Sequence, residues 1–282
     1  MCEEAEDPTR VRPDESGMLF VDELRNLFKS VASEVDAHAN GLESFIDERL
    51  NTIEETLSSL QTQINRMERR SFRLPSLLLT EHQALQQLMT RYSPEVTLPP
   101  VAGWALNPTG ILCMTDLIDA SAHGQIIECG SGTSTLWAAY AIRKKGGGRV
   151  IALEHDPDYA KRTREMIRDH GLTDYAEIRS VPLKSTMTPR GEFQWYDIDD
   201  DRFDAPIDVL LVDGPPGTTG TGARYPAFPL LKEWLSLNAY IIVDDTNRED
   251  EREVVRQWLK EEPRLKRRAA PGEAMELLLL TS

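Results

Sequence analysis

The chain is short of positive charge, of cysteine and of long apolar runs, and each shortage removes a class of function. Its 32 Lys and Arg stand against 47 Asp and Glu, a formal net charge of −15, and only eight of the basic residues are Lys. Nucleic-acid binding draws on Lys and Arg that displace counterions from phosphates, so this balance disfavours a nucleic-acid partner. The three cysteines, Cys2, Cys113 and Cys129, have no metal spacing and no even-numbered disulfide framework, which fits a reducing compartment. No apolar run reaches the ~18 residues of a membrane span. The acidic start Met1-Cys-Glu-Glu-Ala-Glu-Asp is unlike the basic start of a signal peptide. A cytoplasmic protein with no membrane span is expected. The apolar share of 40% and charged share of 28% fit a globular domain diluted by a polar helical appendage.

Hydropathy patterning divides the chain into four stretches. Residues 1–17 are acidic and carry Pro8, Pro13 and Gly17, the composition of a disordered tail. Residues 18–71 hold no proline, and apolar residues recur every three or four positions. Val21, Leu24, Phe28, Val31 and Val35 form one stripe; Ile46, Leu50, Ile53, Leu57, Leu60, Ile64 and Met67 form a stricter one with heptad spacing. The stripes are out of register near Asn40-Gly41, where a skip or break is expected. A helix of about 50 residues would reach about 75 Å, too long for its seam to be buried within one chain. Homo-oligomerisation through residues 18–71, as a coiled coil, is therefore favoured over a hairpin folded at Gly41. Pro75 is expected to close the segment, and residues 72–100 to form a helix and linker.

From residue 101 to 282, strand and helix patterns alternate, the signature of a doubly wound α/β sheet. Strands are expected at 125–129, 149–153, 176–180, 207–212, 239–243 and 274–280, the last paired with one near 264–269. Helices are expected at 109–120, 134–144, 157–170 and 250–260. The sequence Gln125-Ile-Ile-Glu-Cys-Gly-Ser-Gly-Thr-Ser134 reads as a buried strand, a glycine turn and a helix start. Gly130 and Gly132 let the backbone turn sharply beside a ligand, and Ser134 stands where a dinucleotide fingerprint has its third glycine. Glu128 at the strand end would repel a pyrophosphate but suits the cationic amino-acid end of S-adenosylmethionine. The next strand ends in Glu154, placed to reach ribose hydroxyls.

With these residues on view, the chain resembles the class I S-adenosylmethionine-dependent methyltransferases. Glu128-x-Gly130-x-Gly132 resembles their first motif and Glu154 their second, over residues of about 100–282. The resemblance implies a Rossmann-like seven-stranded sheet whose last strand runs antiparallel, preceded here by the long helical segment. It also implies a cofactor site of Glu128, Gly130, Gly132, Ser134, Glu154, His155, Leu183 and Asp213. Cys129, inside the motif, reads as a small packed residue.

The chemistry is expected where the fourth strand ends in Asp213-Gly-Pro-Pro-Gly217 and the fifth in Asp244-Asp245-Thr-Asn-Arg248. Two readings stand side by side. In one, which resembles catechol-type and antibiotic-sugar O-methyltransferases, Asp213, Asp244 and Asp245 hold Mg2+ or another divalent cation that binds substrate oxygens. In the other, metal-free, Asp213 orients substrate or acts as general base, while Asp244 and Asp245 cap the following helix or bind Arg side chains. Asp213 and Asp244 are the catalytic candidates in either case. Trp195, Tyr196, Arg224 and Tyr225 are candidates for contacting substrate, and Trp104 for covering the cofactor. The stretch from Gly214 to Pro226 is glycine-rich but lacks the Gly-Lys-Ser/Thr ending of a phosphate loop. A small molecule or glycan with a free hydroxyl is the expected acceptor. Protein or nucleic-acid methylation, or a cofactor-bound but idle scaffold, remain as alternatives.

Overall fold

The computed structural model describes residues 15–99, 106–198, 203, 205–272 and 274–281, and only the backbone of residues 15–19, 69, 70 and 73. The tail at 1–14, Trp104 and most of the acidic run Asp199–Asp204 lie outside the described residues. The chain divides into two compact units, Met1–Leu74 and Pro75–Ser282.

In the first unit, helix α1, which runs Glu15–Tyr92, is uninterrupted at Gly41 and continues past Pro75. The stop expected at Pro75 therefore fails, whereas the single long helix favoured for residues 18–71 runs through Gly41 without a break. A single exposed glycine costs a helix only about 1 kcal/mol, and Gly41 has strong helix formers around it. At Pro75 the packing of residues further along the helix prevails. The last turns of α1 bury Ala84, Leu88 and Tyr92 in the core of the second unit, which outweighs the one hydrogen bond that proline removes. The helix ends at Ser93, which takes a positive φ of 44° before Pro94. In the first unit the heptad side chains Ile46, Leu50, Ile53, Leu57, Leu60 and Ile64 are all exposed.

The second unit is a three-layer α/β sandwich. Its strands are β1 (Gln125–Cys129), β2 (Arg149–Glu154), β3 (Ala176–Ser180), β6 (Ile207–Val212), β7 (Leu235–Val243), β8 (Leu265–Arg268) and β9 (Glu276–Leu280). They form one sheet in the order β3-β2-β1-β6-β7-β9-β8, in which β9 alone runs antiparallel to its neighbours. Alternate residues point to opposite faces. Ile126, Val209, Leu211 and Ile242 pack into one core beneath α2 (Pro108–Ala120), α3 (Thr133–Lys145) and α4 (Pro157–Asp169). Ile127, Cys129, Leu210, Val212, Ile241 and Val243 pack into the other, beneath α5 (Ala227–Leu231) and α6 (Glu249–Glu261).

Local sequence explains the helix starts. Asn107 caps α2 by accepting from the Gly110 N–H at 2.9 Å, with Pro108 at the first position. Asp156 caps α4 through the N–H groups of Asp158 and Tyr159, again followed by proline. One element was not anticipated: a separate antiparallel hairpin of β4 (Leu183–Thr188) and β5 (Gly191–Tyr196). Its turn signal, Pro189-Arg190-Gly191, is present in the sequence. The strand order reverses between β1 and β6, so the switch-point crevice opens at the carboxyl ends of β1, β2 and β6.

Candidate active site

A cleft of about 310 Å³ lies at that switch point. The turn after β1 contributes Gly130 and Ser131, the end of β2 contributes Glu154 and His155, and the loop after β6 contributes Asp213 and Gly214. Gly130 takes a φ of 103°, a conformation that favours glycine, and donates its N–H to the Leu153 carbonyl at 2.9 Å. That bond ties the turn to the end of β2. Gly214 is required by space: a Cβ there would lie 2.5 Å from the Tyr196 hydroxyl and 3.2 Å from the Cys129 carbonyl.

The two motif acids have different surroundings. Glu128 is 1% exposed and does not line the cleft. It accepts hydrogen bonds from the Ser134 hydroxyl and, at 2.6 Å, from the Thr135 hydroxyl. Burial pushes its pKa up to about 7 against the pull of those two donors, with the Glu154 charge adding to the rise. Glu128 and Ser134 thus anchor the start of α3 to the end of β1, and Gly132, whose N–H donates to Thr135 Oγ1, begins that helix. None of the three reaches the cleft wall. Glu154, 5% exposed, does. Its Oε2 accepts from Ser131 Oγ and its Oε1 from the Asp156 N–H, both at 2.9 Å. Each oxygen keeps capacity for a second hydrogen bond. His155 Nδ1 sits 3.1 Å from Glu154 Oε1 and has no hydrogen-bond partner among the described residues.

The opposite wall centres on Arg224, which is 4% exposed. Its Nη2 donates to the Asp213 carbonyl and to Asp245 Oδ2, each at 2.8 Å, and lies 3.3 Å from Asp213 Oδ1. Its Nη1 donates to the Asp244 carbonyl at 2.8 Å. Arg248 Nη1 lies 2.9 Å from Asp245 Oδ2. Asp245 needs a positive φ of 60° to face these partners. Of the two metal-free roles, the helix cap is not seen, since α6 begins at Arg248 without a side-chain cap. Burial raises the Asp213 carboxyl well above the usual carboxylate range; Arg224 opposes the rise, while Asp244, Glu128 and Asp245 add to it. Asp244 is raised as well, by burial and by Asp245.

The carboxylates of Asp213, Asp244 and Asp245 offer one oxygen each within 4.8 Å of one another. That span suits a single cation, but the donor set fits a divalent metal poorly. The Arg224 guanidinium already lies against Asp213 and Asp245, and Arg248 holds the latter a second time.

Among the other expected residues, Tyr196 and Arg224 line the cleft, whereas Trp195, Tyr225 and Leu183 do not. The placement of Trp195 and Tyr225 against substrate is corrected by their packing. Trp195 alternates with its cleft-lining neighbour along β5 and is wholly buried in the core. Tyr225 is also buried, its hydroxyl donating to Glu261 Oε2 at 2.7 Å and its carbonyl accepting from Trp258 Nε1 at 2.9 Å. Leu183 is the first residue of β4 and pairs with Tyr196. Cys129 packs inside the sheet, where burial pushes its thiol up and away from nucleophilic use. Sequence reasoning gave no role to Tyr159, Thr218 and Arg248, which also line the cleft. Tyr159 had a signal in its place one turn into the helix after the second acid, and Arg248 in its place after the Asp-Asp pair.

Residues 127–246 match a family model described as a methyltransferase domain. A curated relative, a tRNA (guanine(10)-N2)-dimethyltransferase of Methanothermobacter thermautotrophicus, is 26% identical over 133 residues; the match covers 46% of this chain and 33% of that protein. The chain thus spans about a third of the length of the curated relative it matches. Solved structures of similar shape include an O-methyltransferase of Bacillus cereus in complex with SAH, at 18% identity and a TM-score of 0.47, covering 72% of this chain and 90% of that one. An SAH-bound methyltransferase of Podospora anserina is 16% identical with a TM-score of 0.49, over 71% of this chain and 88% of that one. Residues 127–246 are thus similar to a methyltransferase domain, and they run from β1 to just past the end of β7, taking in the cleft-lining residues from Gly130 to Arg224.

Proposed function

We propose that the chain O-methylates a hydroxyl of a small molecule, sugar or glycan, with Asp213 as general base. The observation that carries this is Asp213 itself: a carboxyl raised by burial, in the wall of the cleft that also holds Glu154. A base works best when its pKa approaches the working pH, and a hydroxyl acceptor must lose one proton. When bound, S-adenosylmethionine supplies a methyl group activated by its sulfonium. Glu154 would accept hydrogen bonds from the ribose hydroxyls, and His155 lines the cleft on the same side. Asp213 would take the proton of the acceptor hydroxyl from its place in the wall of the same cleft.

The tRNA-modifying relative supports a second reading, nucleic-acid methylation, but the net charge of −15 opposes a polyanionic substrate. Turnover on a panel of small hydroxyl compounds tests the first reading. Asp213→Asn should lower kcat by roughly 100-fold or more with SAH affinity little changed. Equal activity in that variant would remove Asp213 from the chemistry, and turnover on RNA but on no small hydroxyl would replace the reading.

The exposed heptad stripe of residues 46–67 supports self-association through the N-terminal helix, because a seam of that length left in water forfeits the burial of every a and d side chain. Light scattering should give an oligomer for the full chain and a monomer for a chain beginning at Pro75. A monomeric full chain at micromolar concentration would refute this.

A further inference from the structure

Three carboxylates within 4.8 Å of one another need positive charge, and two kinds could supply it: a bound metal or a side chain. We propose that Arg224 is the resident cation of the Asp213–Asp244–Asp245 cluster, so that the acceptor side of the cleft works with a guanidinium in the position a divalent metal would otherwise take. The use of the cluster by a methyl acceptor rests on the function proposed above; the charge assignment stands on geometry alone.

Four acceptors from two strand ends converge on this one group. Nη2 meets the Asp213 carbonyl at 2.8 Å, Asp245 Oδ2 at 2.8 Å and Asp213 Oδ1 at 3.3 Å, and Nη1 meets the Asp244 carbonyl at 2.8 Å. A planar fork of donors can bridge β6 and β7 in this way, whereas the point charge of a lysine cannot. The guanidinium is nearly without solvent exposure, so it is built into the wall rather than swinging over it. A magnesium ion binds oxygens at about 2.0–2.1 Å and demands six of them. Here two of the three candidate carboxylates already face Arg224, and Asp245 is held again by Arg248 at 2.9 Å. Arg224 and Arg248 thus already supply positive charge to two of the three carboxylates. A metal entering the cluster would have to displace Arg224 or sit beside it. The Nε–H of Arg224 is buried and has no partner among the described residues.

The test is a Mn2+ titration of the metal-stripped, full-length protein, followed by the electron paramagnetic resonance of the free ion. Wild type should take up no stoichiometric Mn2+. Arg224→Ala should gain one Mn2+ per chain, and Arg224→Ala combined with Asp213→Asn should lose it again. One Mn2+ bound by wild type and lost in Asp213→Asn would overturn the proposal. So would a folded Arg224→Ala that gains none. Should that variant fail to fold, the wild-type and Asp213→Asn titrations decide the matter by themselves. Calorimetry with SAH on the same samples reads the methyl-donor side separately: wild type that fails to bind SAH would defeat the function proposed for the cleft and leave the metal result standing.

Discussion

Replacing Glu128 by Gln should flatten the dependence of stability on pH between about pH 5.5 and about pH 8. Glu128 is almost wholly buried, and its folded-state pKa is pushed from an ordinary 4.5 up to about 7, by burial first and against the Ser134 and Thr135 hydroxyls. Between those two values the folded chain holds a proton that the unfolded chain has released. Stability therefore falls as pH rises through this window and levels off above the folded pKa. The single group thus costs the wild type about 2 kcal/mol between pH 5.5 and pH 8, from the ratio of proton binding in the two states. Glutamine keeps the shape and an acceptor for one of the two hydroxyls, its NH2 standing in place of the other oxygen, and does not titrate. Urea unfolding of both proteins, without methyl donor, at several pH values across the window gives the difference between them. That difference should move in favour of Glu128→Gln by about 2 kcal/mol from the acid to the alkaline end. Two parallel stability curves would show that Glu128 is charged throughout, and the burial argument for it would be wrong.

Two other substitutions probe the cleft. Glu154→Ala should weaken SAH binding by roughly 10- to 100-fold in calorimetry, the worth of hydrogen bonds to a charged carboxylate; unchanged affinity would dismiss the ribose assignment. Gly214→Ala would set a Cβ 2.5 Å from the buried Tyr196 hydroxyl and 3.2 Å from the Cys129 carbonyl. Overpacking of that kind should cost about 1–3 kcal/mol, seen as a lower thermal midpoint, and an unaltered midpoint would mean that Tyr196 has room to move.

The sheet was legible because its central strands, β1 and β6, are fully buried and read as apolar runs, while β3 alternates buried and part-exposed residues. β1, β3 and β6 fall on their expected boundaries, and β7 differs only in beginning earlier, at Leu235. The β4–β5 hairpin was missed because its strands are short, half exposed and rich in polar residues, so neither face gives a strong period. Pro75 was read as a helix stop because local propensity was all that could be weighed there. The burial of Ala84, Leu88 and Tyr92, which secures the end of α1, is a tertiary fact.

The sequence by itself determined the alternation of strand and helix, the glycine turn and the placing of acids at the ends of β1, β2, β6 and β7, since each is a local pattern read along the chain. Which acid faces the cleft was decided only in three dimensions. Glu128 and Glu154 look alike in their motifs, yet the hydroxyls of Ser134 and Thr135 close over the first, while the second stays in the cleft wall. The three aspartates likewise admitted both a metal and Arg partners until the fold brought Arg224 among them. Charge neutralisation depends on distance in space, and the 11 residues that separate Asp213 from Arg224 along the chain do not show that their side chains meet.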